Sequence, residues 1–273
     1  MAARELLKQM LGMVTLTGAA WCAVLYARVL GTLPLVLIWG AFSGVMALGL
    51  WRHARRRRRV WLHAYLKAES GWVTRLRGGL LMGLWQAVLA LCLSAFLLVL
   101  LVRNSQPWLW TALLLTGLLL PLCTHLIARQ LRGQVQAVYV PELALQFAGA
   151  GLALALWWAV VWHDLGESYP DFRQASLDQA VWYAVSSQHA RSDALRLLLE
   201  LGAAADGLSQ WLAQHLMPAP AHSVWQTLGW TLLLARDALF VWSYLLLCRG
   251  ALVLWSRTPP ARMTVEEVAD VHP

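Results

Sequence analysis

The 273-residue chain is 59% hydrophobic before glycine is counted, and its 19 glycines raise the apolar share to about 66%. Soluble domains reach roughly 45–50% on the same count. Charged residues make up only 13% and the formal charge is +8. This composition excludes a disordered chain, argues against an ordinary soluble domain and predicts an all-α integral membrane protein.

A helix needs about 20 apolar residues to cross a hydrocarbon core near 30 Å thick, because lipid offers no partner to backbone polar groups. Six stretches meet or nearly meet that length: 11–30, 33–51, 79–102, 108–128, 142–162 and 228–248. The first follows Arg4 and Lys8 like a signal peptide, but Leu25-Tyr26-Ala27-Arg28 is a poor cleavage site, so it reads as a retained first span. Gly31-Thr32-Leu33-Pro34 predicts a tight helical hairpin, and Pro107 is placed to open the fourth span. Pro121 predicts a kink in that span. The pairs Gly40–Gly44, Gly79–Gly83, Gly149/Ala153 and Gly151/Ala155 predict close helix contacts, since small residues let backbones approach.

Span two runs directly into Arg52-His53-Ala54-Arg55-Arg56-Arg57-Arg58-Arg59. Guanidinium groups beside a membrane are drawn to anionic headgroups, so Arg55, Arg56, Arg57, Arg58 and Arg59 are the expected lipid-headgroup contacts. The aromatics Trp61, Tyr65 and Trp72 predict that 60–77 lies in the interface as a separate amphipathic helix. Arginine runs also bind nucleic acid, but this one sits where a stop-transfer charge is expected, which favours lipid. A second loop, 129–140, carries a Leu-Arg-Gly element like that at 76–78. With a cytoplasmic N-terminus, 16 basic residues fall inside and Arg103, Arg173, Arg191 and Arg196 outside. The positive-inside rule therefore predicts both termini in the cytoplasm and the protein in a bacterial inner membrane, the bacterial source being inferred from 20 arginines against two lysines. Trp108, Trp110, Trp157, Trp158, Trp162, Trp225 and Trp230 fall near the expected outer ends, where indoles favour the interface.

Between spans five and six, 163–226 holds seven acidic residues and three arginines. Apolar residues recur at helical spacing in Leu177–Val185, in Leu195–Leu199 and in Leu208–Leu216, with Ser192 or Asp193 as an N-cap. The expectation is a small extracytoplasmic cap of three short amphipathic helices, too small for a robust core of its own. Ala194–Ala203 resembles the second helix of an ankyrin repeat. The Thr-Pro-Leu-His opening is missing and no second copy exists, so it is read as an ordinary amphipathic helix. The division is thus 1–162 for five spans with the polybasic loop 52–77, 163–226 for the cap, 227–255 for the sixth span and 256–273 for a disordered tail.

Ionisable groups at membrane depth are costly and point to function by default. The leading pair is Arg236-Asp237, with Gln86 and His125 as further intramembrane polar candidates. Sequence neighbours project about 100° apart on a helix, so partners are sought elsewhere: Glu142, Gln146, Gln86 or His125. A wet cavity shared by His125, Gln86 and Asp237 would point to an enzyme. The plain alternative is that the helix starts near Trp230, leaving Arg236 about 9 Å deep and able to snorkel. Arg28 reads as a snorkelling boundary residue and Arg129 as a boundary charge. The cysteines Cys22, Cys92, Cys123 and Cys248 all lie in apolar segments, so no disulfide is expected. His163, Asp164, His189, His215 and His222 have no metal-ligand spacing, and no phosphate loop, dinucleotide fingerprint or nucleophile elbow occurs. No catalytic residue, metal or cofactor is expected. The sequence points to a non-catalytic accessory or scaffold subunit with protein partners in the membrane. The alternative is a transporter or channel subunit using Arg236 and Asp237.

Overall fold

A computed structural model describes residues 2–65, 80–136, 139–166, 170–216 and 224–255. Among them the chain forms eight helices and no strand: α1 (Ala2–Ala27), α2 (Thr32–Tyr65), α3 (Leu80–Arg103), α4 (Pro107–Leu131), α5 (Val140–Gly166), α6 (Leu177–Ser186), α7 (Asp193–Leu216) and α8 (Val224–Trp255). Six are long and apolar enough to cross a membrane: Arg4–Ala27, Thr32–Arg55, Leu81–Arg103, Pro107–Leu131, Val140–Asp164 and Leu234–Trp255. The protein is therefore a multi-pass membrane protein with a lipid environment.

The last span is the hub. It touches α1, α2, α3, α4, α5 and α7, and 61% of its apolar window is buried against 28–50% for the other five. Ser243 through Cys248 are buried without a break, so no face of that segment is left for lipid. Apolar surface does not drive helices together in lipid, so close approach rests on small residues. At the α2–α8 crossing, a Cβ on Gly49 would lie 2.8 Å from the Gly250 Cα, and one on Gly250 would overlap the Val45 carbonyl. The expected pairs behave otherwise. Gly40, Gly44, Gly83 and Gly151 face open space, whereas Gly149 meets the Arg249 guanidinium and Ala153 packs against the core. Gly79 lies outside the described residues.

Hydroxyl groups add buried ties where hydrocarbon leaves no alternative. Tyr244 Oη, fully buried on α8, donates to the Leu113 carbonyl of α4 at 2.7 Å and lies 3.3 Å from Thr17 Oγ1 of α1. Ser43 and Ser94 pair at 2.6 Å between α2 and α3.

Several boundaries differ from the sequence reading. Helix α2 does not break at Arg52 but carries the arginine run on to Tyr65, with the Arg55 guanidinium 4.7 Å over the Trp51 ring. The side chains of Arg56–Arg59 and all of 66–79, including the rest of the expected interfacial helix and the first Leu-Arg-Gly element, lie outside the described ones. So do Pro218, Pro220, His222, the side chains of Trp225 and Trp230, and the tail 256–273. The three expected amphipathic helices are two, because the second and third stripes run together as α7. Glycine does not break α7, since each has a packing role: Gly207 lets α6 approach, and Gly202 leaves room for the Arg103 guanidinium. Helix α8 contains the expected sixth span 228–248 and continues past it to Trp255. Arg249 does not end it, because that side chain folds across Gly149 of α5. Pro107 opens α4 as expected, and the helix continues through Pro121.

Candidate functional site

Helices α6 and α7 pack on each other through Gly207, whose absent side chain lets Ala180 and Ala184 come close. A capping box between Ser176 and Gln179 starts α6. The apolar stripe of α7, with Leu195, Leu199 and Ala203 fully buried, lies against the bundle. Polar ties join the stretch before α7 to the first hairpin: Arg191 N–H donates to the Arg28 carbonyl at 2.9 Å, and Ser192 Oγ lies 3.1 Å from Thr32 Oγ1. Ser192 thus spends its hydroxyl on α2.

At this end of the bundle five charged side chains from four helices converge. Arg236 of α8 directs its guanidinium fork at three carboxylates: Nη2 to Asp164 Oδ2 at 2.9 Å, Nη1 to Asp206 Oδ1 at 3.0 Å and Nε to Asp237 Oδ1 at 3.0 Å. Arg103, in the last turn of α3, holds the other Asp206 oxygen at 2.6 Å. The fixed fork of guanidinium donors suits such multiple carboxylate recognition in a way an ammonium does not. Each member has a local reason to need another. Asp164 sits in the last turns of α5, where the helix dipole disfavours an anion, and Asp206 faces the bundle from the middle of an amphipathic helix. All five side chains are less than a third exposed, so an unpaired charge here would carry a large desolvation cost.

Beside the cluster is a cavity of about 210 Å³ whose wall includes Arg103, Gln188, Asp206, Arg236, Asp237 and Phe240. Neither Gln86 nor His125 lines it. Gln86 is half-buried on α3 and His125 half-buried on α4. Glu142, expected near Arg236, instead lies 2.5 Å from His53 Nδ1 of α2, and Gln146 is exposed. Arg236 and Asp237 do pair directly despite being adjacent, because the arginine side chain is long enough to curl back over the 100° offset. Arg28 is exposed and its Nη2 lies 3.4 Å from the Val102 carbonyl; Arg129 is exposed.

A second polar group lies at the other end of α8. His53 and Glu142 meet there, Arg52 Nη1 donates to the Val253 carbonyl at 3.3 Å, and Arg249 is within electrostatic reach of Glu142. Arg249 follows directly on the sequence-expected end of the sixth span at 248. The signal available was Gly149, the small residue that makes space for it. Near the first cluster, His163 Nε2 and Trp108 Nε1 share Gln106 Oε1, both at 2.7 Å. Trp110 is buried, whereas Trp158 and Trp162 are 61% and 70% exposed and face outward on α5. Among the described residues no three His, Cys, Asp or Glu side chains come together as a metal-ligand set.

What this arrangement does chemically is hold two parts of the chain together. The guanidinium of Arg236 links α5, α7 and α8 through three carboxylates. Comparison with protein-family models, with curated proteins and with solved structures gives no match.

Proposed function

We propose that the protein is a non-catalytic scaffold or accessory subunit of an envelope assembly, such as a secretion, conjugation or export apparatus. In this reading it lies in the cytoplasmic membrane with both termini inside, Arg55–Arg59 against anionic headgroups and the α6–α7 pair on the outside as a cap. The observation that carries it is the fixing of α7 to the spans by Arg103 and Arg236 through Asp206. A cap held that firmly presents a defined surface. Its outward side carries Trp182 and Tyr183, 72% and 57% exposed, beside an apolar groove of Leu177, Val181, Val185 and Leu208. Aromatic side chains of this kind are favoured anchors at protein interfaces.

A photo-crosslinking amino acid at Trp182 tests the reading. One discrete protein adduct in intact cells, abolished by Arg236→Met in protein that still inserts, is the expected result. No adduct, or one indifferent to Arg236, contradicts it. The cavity beside Asp237 supports a second reading, a transporter or channel subunit using Arg236 and Asp237. That reading requires Asp237→Asn to abolish function while membrane abundance stays intact, whereas the scaffold reading requires the two to fall together.

A further inference from the structure

The cavity at the Arg236 cluster has a specific chemical bias. Two guanidiniums and three carboxylates meet at its wall. Asp237 spends a single oxygen: both Arg236 Nε and Nη2 go to Oδ1, and Oδ2 has no hydrogen-bond partner among the described residues. Its side chain is only 9% exposed. On the same wall, Gln188 Oε1 is a buried acceptor without a partner. A buried acceptor left unmatched is costly, and Gln188 Oε1 beside a carboxylate oxygen of Asp237 that no guanidinium holds calls for N–H donors on a cation. A metal ion fits poorly, because the Arg236 guanidinium occupies the point on which the three carboxylates converge, and among the described residues no metal-ligand set forms. A quaternary ammonium fits poorly too, because it has no N–H and is held by aromatic cages, while among the described residues this wall carries one aromatic ring, Phe240. Room is adequate: about 210 Å³ is several times the roughly 30 Å³ share of one water.

We propose that this cavity binds a primary ammonium group, with Asp237 Oδ2 and Gln188 Oε1 as its acceptors. The group belongs either to a free small amine or to an aminophospholipid headgroup, since the cavity lies at the end of the spans where both are within reach. The proposal goes beyond the scaffold reading and stands whether or not that reading does.

Ethanolamine and choline carry the same charge and differ in whether nitrogen bears hydrogens, so they form the test. Full-length protein in detergent is unfolded by heat in ethanolamine hydrochloride or choline chloride at equal pH and ionic strength. A parallel arm uses nanodiscs of phosphatidylethanolamine or phosphatidylcholine. A saturable rise in Tm of a few degrees with ethanolamine, absent with choline, is expected for a free amine. A rise confined to phosphatidylethanolamine nanodiscs assigns the headgroup as the source. Gln188 lies on a loop outside the ion pairs, so Gln188→Leu keeps the cluster and is expected to remove the shift in whichever arm shows it. Asp237→Asn is expected to weaken it as well. Equal Tm values across both chemical pairs, or a shift that survives Gln188→Leu, would overturn the proposal.

Discussion

Arg236 shows how much of a buried charge's role depends on residues far away in sequence. Its presence in an apolar segment marks it at once, because lipid makes such a residue expensive. Its partners are not marked. Asp164 and Asp206 lie 72 and 30 positions away, and each reads as an ordinary acid at a helix end or on a polar helix face. The adjacent Asp237 was discounted on helical geometry, which fixes where a Cβ points but not where a long flexible guanidinium ends. Removing the cation leaves three carboxylates facing one another. Arg236→Met is therefore expected to cost about 3–5 kcal/mol, read as a lowered Tm in detergent. Arg236→Lys keeps the charge but cannot fork to three acceptors, so it should fall between the two. A methionine variant as stable as the parent would show that the cluster contributes nothing to the fold.

At the scale of helices, the lengths of the spans and the proline opening of α4 were legible because they follow from hydropathy and local backbone chemistry. The contacts were not. GxxxG spacing singles out Gly40–Gly44, yet both glycines face away from neighbours, while Gly49 and Gly250 form the close crossing on different helices. A spacing rule acts within one helix and cannot say which face meets a partner. The same limit split α7 in two: its apolar stripes were visible, but the reasons Gly202 and Gly207 are tolerated lie on α3 and α6. Gly49→Ala forces backbone apart and is expected to destabilise by about 1–3 kcal/mol. Gly44→Ala, with open space around it, should stay within about 0.5 kcal/mol of the parent. Thermal unfolding of the two variants side by side checks this, and equal losses would contradict the crossing.

For the whole molecule, composition declared a helical membrane protein, but nothing in hydropathy marks α8 as the centre. A span facing lipid and a span facing protein are both apolar, so centrality is recorded only in small residues and buried hydroxyls such as Gly250, Ser243 and Tyr244. The hub carries the charged cluster near one end and Arg249 near the other, so its position and the placement of α6 and α7 are one structural problem. Helix α7 reaches the bundle beside Val99 of α3, where a Cβ at Gly202 would lie 3.4 Å from Val99 Cγ1. That spacing is close enough for a disulfide between the two positions. The most direct test is the rate of oxidative cross-linking of Val99→Cys with Gly202→Cys in membranes, with the four native cysteines replaced. Rapid intramolecular bond formation with Arg236 present, and a marked slowing with Arg236→Met, is the expected result. No bond in the parent, or a rate that ignores Arg236, would contradict the claim that this arginine holds α7 on the spans.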